Sequence, residues 1–369
     1  MKITQAYIYN FRNLKNIELS FSDGFNVISG RNGHGKTNIM EAIYLLSMPS
    51  SFRNGRLTDW IRFGETEASV MLSVENSGLL QKISMFLEDN KRTFDINKKK
   101  AKNIAELSKI LKVIFFGPDD LRVIKNGPGE RRRLMDRAIF RQDPSYLSLS
   151  QNYLELVRQR NSLIQDGMYD KKAGVLLDSY EERMVELGCE ITNIRREFID
   201  SFSKEVSSYW KSLGDFGRVD MEYRSGYGAI PDSDIQTFAM DRLNQRRRDD
   251  QIRGKTSVGP HLDNLNIKFN GMLAKNHASQ GQMRGIVTAL RIGELILWKK
   301  RYGTSPVLMM DDLSSELDQF HYKKIMSAIS KYSRQVILTT TNPEFVLNDI
   351  RGRVFEVSDG NCVQNQGYE

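Results

Sequence analysis

Eight consecutive residues, Gly30-Arg31-Asn32-Gly33-His34-Gly35-Lys36-Thr37, fit the spacing G-x-x-x-x-G-K-[ST]. Glycines so placed let backbone N–H groups curl round a phosphate chain, and a helix starting just after them points its positive end there. In that chemistry Lys36 reaches the β- and γ-phosphates and the Thr37 hydroxyl ligates Mg²⁺. The bland alternative is a glycine turn ahead of a helix. A second group is Val307-Leu308-Met309-Met310-Asp311-Asp312. Four apolar residues suit a strand buried on both faces, and acids at its carboxyl end sit where parallel sheets bind ligands. Asp311 would hold Mg²⁺ through water, and Asp312 would polarise an attacking water. Without a phosphate loop elsewhere in the chain, the same residues would read as a strand ending in a solvated turn. A third group, Ser279-Gln280-Gly281-Gln282, precedes a helical stretch over residues 283–298. A hydroxyl, free backbone donors and a positive dipole end there suit an anion; taken alone, Ser279 is simply an N-cap.

The elements needed to hold these groups are legible around them. Asn26-Val27-Ile28-Ser29 is a short apolar strand running into the glycine loop, and Ile39, Ile43 and Leu46 recur after it at helical spacing. Alternation over 69–74 and 82–87, with Asn76-Ser77-Gly78 between, predicts a hairpin, and Lys98-Lys99-Lys100 with Lys102 predicts a loop tip. Residues 130–213 are long, charged and helix-forming, with a turn between two antiparallel helices expected within 167–174. After about residue 250 the pattern returns to strands and glycine loops. No internal repeat interrupts this order.

Composition narrows the class. The chain has 369 residues, 40% hydrophobic and 27% charged, which is ordinary for a folded soluble protein of two or three domains. The most apolar stretch, 286–298, contains Arg291 and Glu294 and is too short to span a membrane. No apolar signal segment follows Met1, and Cys189 and Cys362 lie far apart with no CxxC or histidine partner. A disulfide scaffold and a zinc site are therefore excluded, and a reducing, cytoplasmic setting is expected. The net charge of +8 admits nucleic acid. Basic residues cluster at 98–102, at Arg131 to Arg133 with Arg137 and Arg141, at 246–248 and at 299–301. Each cluster is either a phosphate contact or a solvated, ion-paired face. Nothing resembles a base-reading helix, so any DNA binding is expected to be sequence-independent.

Order and spacing add a resemblance. A phosphate loop near the start, Ser-x-Gly-Gln about 25 residues before the apolar-Asp-Asp strand, then Ser315-Glu316-Leu317-Asp318, resembles the layout of ABC-type ATPase heads. More specifically, the chain resembles the RecF family of bacterial recombination mediators along essentially its whole length. The stretches that carry this are Tyr9-Asn10-Phe11-Arg12-Asn13-Leu14, Phe116-Gly117-Pro118-Asp119-Asp120-Leu121 continuing to Gly127-Pro128, Arg131-Arg132 and Asp136, Thr256-Ser257-Val258-Gly259-Pro260-His261, and 311–318. Leu262 and Leu134 stand where the family commonly has an arginine and an aromatic. No switch histidine follows 336–339, so a γ-phosphate sensor at Thr340-Thr341-Asn342 would be a hydroxyl or amide. No Q-loop glutamine is evident, and Asp119 or Asp120 occupies that region.

The resemblance implies an α/β ABC-type P-loop ATPase head, a mixed β-sheet with helices, split by an inserted helical arm: head 1–117, arm 118–250, head 251–369. It implies ATP and Mg²⁺ as cofactors and a slow ATPase, DNA-stimulated, that acts as a switch. Residues 30–38, Arg12, Asn13, Ser279, Gly281 and Gln282 would meet nucleotide, Thr37 and Asp311 the metal, and Lys36 and Asp312 the reaction. An ATP-dependent homodimer would clamp DNA at single-strand gaps, with Ser279 and Gly281 acting across the dimer, and RecR and RecO as partners at the nucleoid. Three rivals remain. A Rad50- or SMC-type ATPase would need hundreds of residues of coiled coil, against roughly 80 helical residues here. A transporter head sits poorly with Asp312 in the usual glutamate position. A non-hydrolysing module would use ATP only as structural glue.

Overall fold

The computed structural model describes residues 1–53, 55–88, 90–165, 171–214, 216–230, 234–312, 319–343 and 352–365. The expected inter-helix turn falls largely outside the described residues, as does the Leu313-to-Asp318 stretch. Contacts divide the chain into two units, Met1–Leu121 with Arg284–Glu369, and Arg122–Met283.

The first unit is built on two six-stranded sheets. One is antiparallel and contains the predicted hairpin, strands Glu67–Asn76 and Leu79–Glu88. Ser77 and Gly78 both have positive φ, the geometry that matches the right-handed twist of two strands joined by two residues. Asn97 and Lys98 do the same between strands Lys91–Ile96 and Lys99–Lys100, which puts the lysine cluster at an exposed tip as expected. The other sheet holds the site. Its central strand, Gly24–Ser29, lies parallel to Gln335–Thr340 on one side and Gly352–Ser358 on the other. Beyond Gln335–Thr340 come Val307–Met310 and Val113–Phe116, both parallel. Strands buried on both faces read as unbroken apolar runs, and Val307 to Met310 are all buried. Gln335, fully buried, exchanges two hydrogen bonds of 2.7 and 2.8 Å with the Ile3 backbone and so ties the sheets together.

The second unit contains helices Pro128–Gln142, Tyr146–Gln165, Lys171–Leu213 and Ile235–Arg253 and a three-stranded antiparallel sheet. It runs to Met283, past the boundary at 250 expected from sequence. Two contacts explain the difference. Strand Asn264–Phe269 pairs with Val219–Arg224, and Arg160, fully buried on the second helix, bonds Glu181, Asp250 and Thr256 at 2.8–2.9 Å. Arg195 likewise joins Asp136, Asp263 and the Pro260 carbonyl. The Thr256-to-His261 motif is thus a keystone of this unit. His261 accepts from the Tyr153 hydroxyl at 2.8 Å and donates to the Thr256 carbonyl at 3.2 Å.

Candidate nucleotide site

The phosphate loop leaves the Gly24–Ser29 strand and feeds helix Lys36–Tyr44, as the sequence predicts. Its glycines serve different masters. A Cβ on Gly30 would lie 2.3 Å from the Val357 carbonyl oxygen, and one on Gly35 would lie 2.7 Å from Leu14. Gly33 has φ +85° and only open space around it, so its backbone alone faces an incoming ligand. Lys36 arches back over the loop, its ammonium donating to the Gly30 and Arg31 carbonyls at 2.6 and 3.0 Å. Burial lowers its pKa, opposed by Asp312 and Asp311. The loop is braced from the N-terminal turn: Asn13 donates to the Gly33 carbonyl at 3.1 Å and accepts from Asn38 at 2.7 Å. Arg12 has φ +52° and forks onto the buried Glu41 carboxylate at 2.6 and 2.8 Å.

Asp311 and Asp312 stand at the carboxyl end of Val307–Met310, beside the loop. Thr37 reaches Asp311 with hydroxyl-to-carboxylate distances of 2.9 and 3.1 Å. Thr339 donates its hydroxyl to Asp311 at 2.6 Å and accepts the Asp312 backbone N–H at 2.9 Å. One hydroxyl therefore fixes the Asp311 carboxylate and the Asp312 backbone, and Asp312 turns with φ +51°. Burial raises the Asp311 pKa, against the Thr339 and Thr37 hydrogen bonds. A buried carboxylate beside a hydroxyl is a hard-oxygen donor set, and a cation there would relieve the burial penalty, so Thr37 and Asp311 fit Mg²⁺.

A small cleft opens next to the carboxylates, lined by Phe116, Gly117, Leu121, Arg284 and Thr288 among others. Asp120 is held at its edge by Arg291 at 2.5 and 3.2 Å and by the Gly117 N–H at 3.1 Å. Asp120, one of the two acids expected in this region, is thereby locked to helix Gln280–Tyr302.

Ser279 caps that helix. Its hydroxyl accepts the Gln282 N–H at 3.2 Å, while the Gln282 side chain accepts the Ser279 N–H at 2.8 Å, a reciprocal capping box. Gly281 is exposed, and a Cβ there would meet nothing within 4 Å, so the chain's own packing does not call for glycine.

Several residues of the basic clusters take the second of the two readings left open for them and are used internally. Arg131 donates to Asn264 and to two carbonyls, Arg132 to the Asp263 carbonyl, Arg133 to Glu130, Arg246 to Asp249 and Arg247 to Asp178. Residues 98–100 and 299–301 are exposed. Three contributors escaped the sequence reading. Thr339 carried only the signal of a hydroxyl ending an apolar strand. Glu41 was a lone acid inside Ile39-Met40-Ala42-Ile43. The Asp359-Gly360 turn carried a dipeptide typical of tight hairpins.

A phosphate loop on a parallel sheet, an acidic pair on the strand two places away and a serine-capped helix define an ABC-type ATPase head. A family model described as RecF/RecN/SMC N terminal domain matches residues 2–361. The chain is 34% identical over 364 residues to the DNA replication and repair protein RecF of Agathobacter rectalis, covering 98% of each. It is 30% identical to that of Geotalea uraniireducens, covering 98% of this chain and 99% of the relative. A solved structure of the recombination mediator protein RecF with ATP, in the RecFOR pathway, superposes with a TM-score of 0.90 at 29% identity, covering 98% and 97%. An Smc head bound to the C-winged helix domain of ScpA shares the fold, with a TM-score of 0.57 at 18% identity over 99% and 98% of the two chains. The chain belongs to the RecF family of DNA replication and repair proteins. No helix among the described residues is long and apolar enough to cross a membrane.

Proposed function

We propose that this chain is an ATP-driven DNA clamp of recombinational repair, working in the cytoplasm at the nucleoid. Residues 30–38 bind the ATP phosphates, with Lys36 exchanging its two carbonyl partners for phosphate oxygens. Arg12 and Asn13 shape the same loop from the N-terminal turn. Thr37 and Asp311 hold Mg²⁺, which supplies charge neutralisation at the phosphates. Asp312 accepts a hydrogen bond from the attacking water, whose oxygen displaces the leaving diphosphate from the γ-phosphorus. Ser279, Gly281 and Gln282 of one protomer meet the nucleotide held by a second copy. The resulting dimer closes on DNA at single-strand gaps and works with RecR and RecO in loading recombinase. Hydrolysis is slow, stimulated by DNA, and resets the clamp.

The observation that supports this reading is the Thr37–Asp311–Thr339 cluster, in which one buried carboxylate meets two hydroxyls beside the phosphate loop and the Asp312 backbone is tied to the same threonine. The test is molar mass by light scattering, with and without ATP and gapped DNA, together with ATP turnover. Lys36→Met should abolish ATP binding. Ser279→Arg should bind ATP yet stay monomeric; a dimer in that variant would overturn the shared site. Asp312→Asn should prolong the ATP dimer, and rapid turnover there would remove its assigned role.

A further inference from the structure

The phosphate loop is gripped from a direction that the motif itself does not suggest. Strands Gly352–Ser358 and Asn361–Asn365 form an antiparallel hairpin closed by Asp359 and Gly360, both at positive φ. This hairpin touches the loop at two points. At the near end, Ser29 donates its hydroxyl to the Phe355 carbonyl at 3.1 Å, and the Val357 carbonyl occupies the space a Gly30 side chain would need. At the far end, the Asp359 backbone N–H donates to His34 Nδ1 at 3.2 Å, and the Gly360 N–H donates to the His34 carbonyl at 3.3 Å. Gly360 is itself wedged. Its carbonyl accepts the Lys15 N–H at 3.2 Å, and a Cβ on it would lie 2.3 Å from the Asn13 carbonyl oxygen. Asn13 in turn holds Gly33. Three segments distant in sequence, at 13–15, 33–34 and 359–360, thus meet at one point on the loop.

We propose that the C-terminal hairpin is a positioning element of the nucleotide site, with the His34–Asp359–Gly360 latch setting the curvature of the phosphate loop. His34 acts through Nδ1 as a hydrogen-bond acceptor, not as a charged phosphate ligand. Asp359 engages the latch through its backbone N–H, because its carboxylate, 87% exposed, stands 3.8 Å from the same nitrogen, beyond hydrogen-bond reach. The latch is made before nucleotide arrives and is kept through the reaction, so it supports ground state and transition state equally. Its loss raises KM and leaves kcat largely alone.

The inference rests on reading the loop as an ATP site, and its test separates the two. ATP affinity and steady-state kinetics are measured on the full chain for Gly360→Ala, His34→Ala, His34→Asn and Lys36→Met. Gly360→Ala drives a methyl into the Asn13 carbonyl and springs the turn. It should raise the Kd and KM for ATP about tenfold, with kcat at saturating ATP within about twofold, as expected for lost uniform binding. His34→Ala should raise the Kd and KM for ATP to a similar extent. His34→Asn places an acceptor oxygen as far from Cβ as Nδ1 is, and should recover most of the affinity lost in His34→Ala. Wild-type affinity in Gly360→Ala, or equal damage from His34→Asn and His34→Ala, overturns the latch. If Gly360→Ala does not fold, the two His34 variants decide by the same outcomes. If Lys36→Met binds ATP as the wild type does, the ATP-site reading itself fails; loss in Lys36→Met without loss in Gly360→Ala sinks the latch alone.

Discussion

Thr339 does with one hydroxyl what the two carboxylates cannot do for themselves. It gives its hydrogen to Asp311 and takes the backbone N–H of Asp312, so it ties one carboxylate and the next residue's backbone to one point. Thr339→Val keeps the shape and removes both bonds. Lost support around a metal-type site typically costs 10–100-fold in affinity or activity. ATP turnover should therefore fall by about 10–100-fold, while ATP alone, tested without Mg²⁺, binds within about threefold of wild type. Steady-state turnover and a metal-free binding titration check the two halves. If turnover is unchanged, Thr339 is only filling space. Asp311 was legible in sequence because it ends a run of apolar residues. Thr339 was not, because its role appears only when two parallel strands are laid side by side.

At the scale of elements, helix Gln280–Tyr302 shows how a bland and a sharp reading can both hold. The capping box is real, and it satisfies the helix start without any ligand. Gly281 is the part that the cap leaves unexplained, being exposed with nothing around it. An aspartate in the first turn of a helix is favoured by the dipole by about 0.3–1 kcal/mol, and glycine within a helix costs a similar amount. Gly281→Asp should therefore raise the thermal midpoint of the isolated chain while abolishing its ATP-dependent dimer, because a carboxylate would face phosphates. A dimer of normal mass would show that Gly281 faces no nucleotide. Elements whose information is contiguous were readable from sequence, among them the strand–loop–helix at 24–44, the hairpin at 67–88 and the acidic strand. The compact unit runs past residue 250, the boundary expected from sequence, because residues 251–283 look like head strands by pattern but pack elsewhere. Their partners, Arg160, Arg195 and strand Val219–Arg224, belong to the arm.

For the whole molecule, the +8 charge is less available than the count suggests. Arg131, Arg132 and Arg247 hold the second unit together, so charge there reports internal bonding. The lysines around the 97–98 turn are exposed and hold no such side-chain bond among the described residues. Changing Lys98, Lys99 and Lys100 to glutamine together should leave stability within about 0.5 kcal/mol. If these lysines meet phosphates, the slope of log affinity against log salt should fall by about 0.9 for each phosphate no longer neutralised. DNA binding measured across a salt series checks this, and an unchanged slope assigns the DNA surface elsewhere.

The sheet that carries the phosphate loop also sets a schedule for the newborn chain. Strand Gly24–Ser29 leaves the ribosome long before its two neighbours, Gln335–Thr340 and Gly352–Ser358. At about 5–20 residues per second, the loop waits on the order of tens of seconds for both walls of its slot. Until then the motif is present as chemistry and absent as a shape. Nascent chains halted before residue 352 should not be retained on immobilised ATP, whereas chains released after residue 365 should be. Nucleotide capture would then report that synthesis has passed the strands that wall the loop.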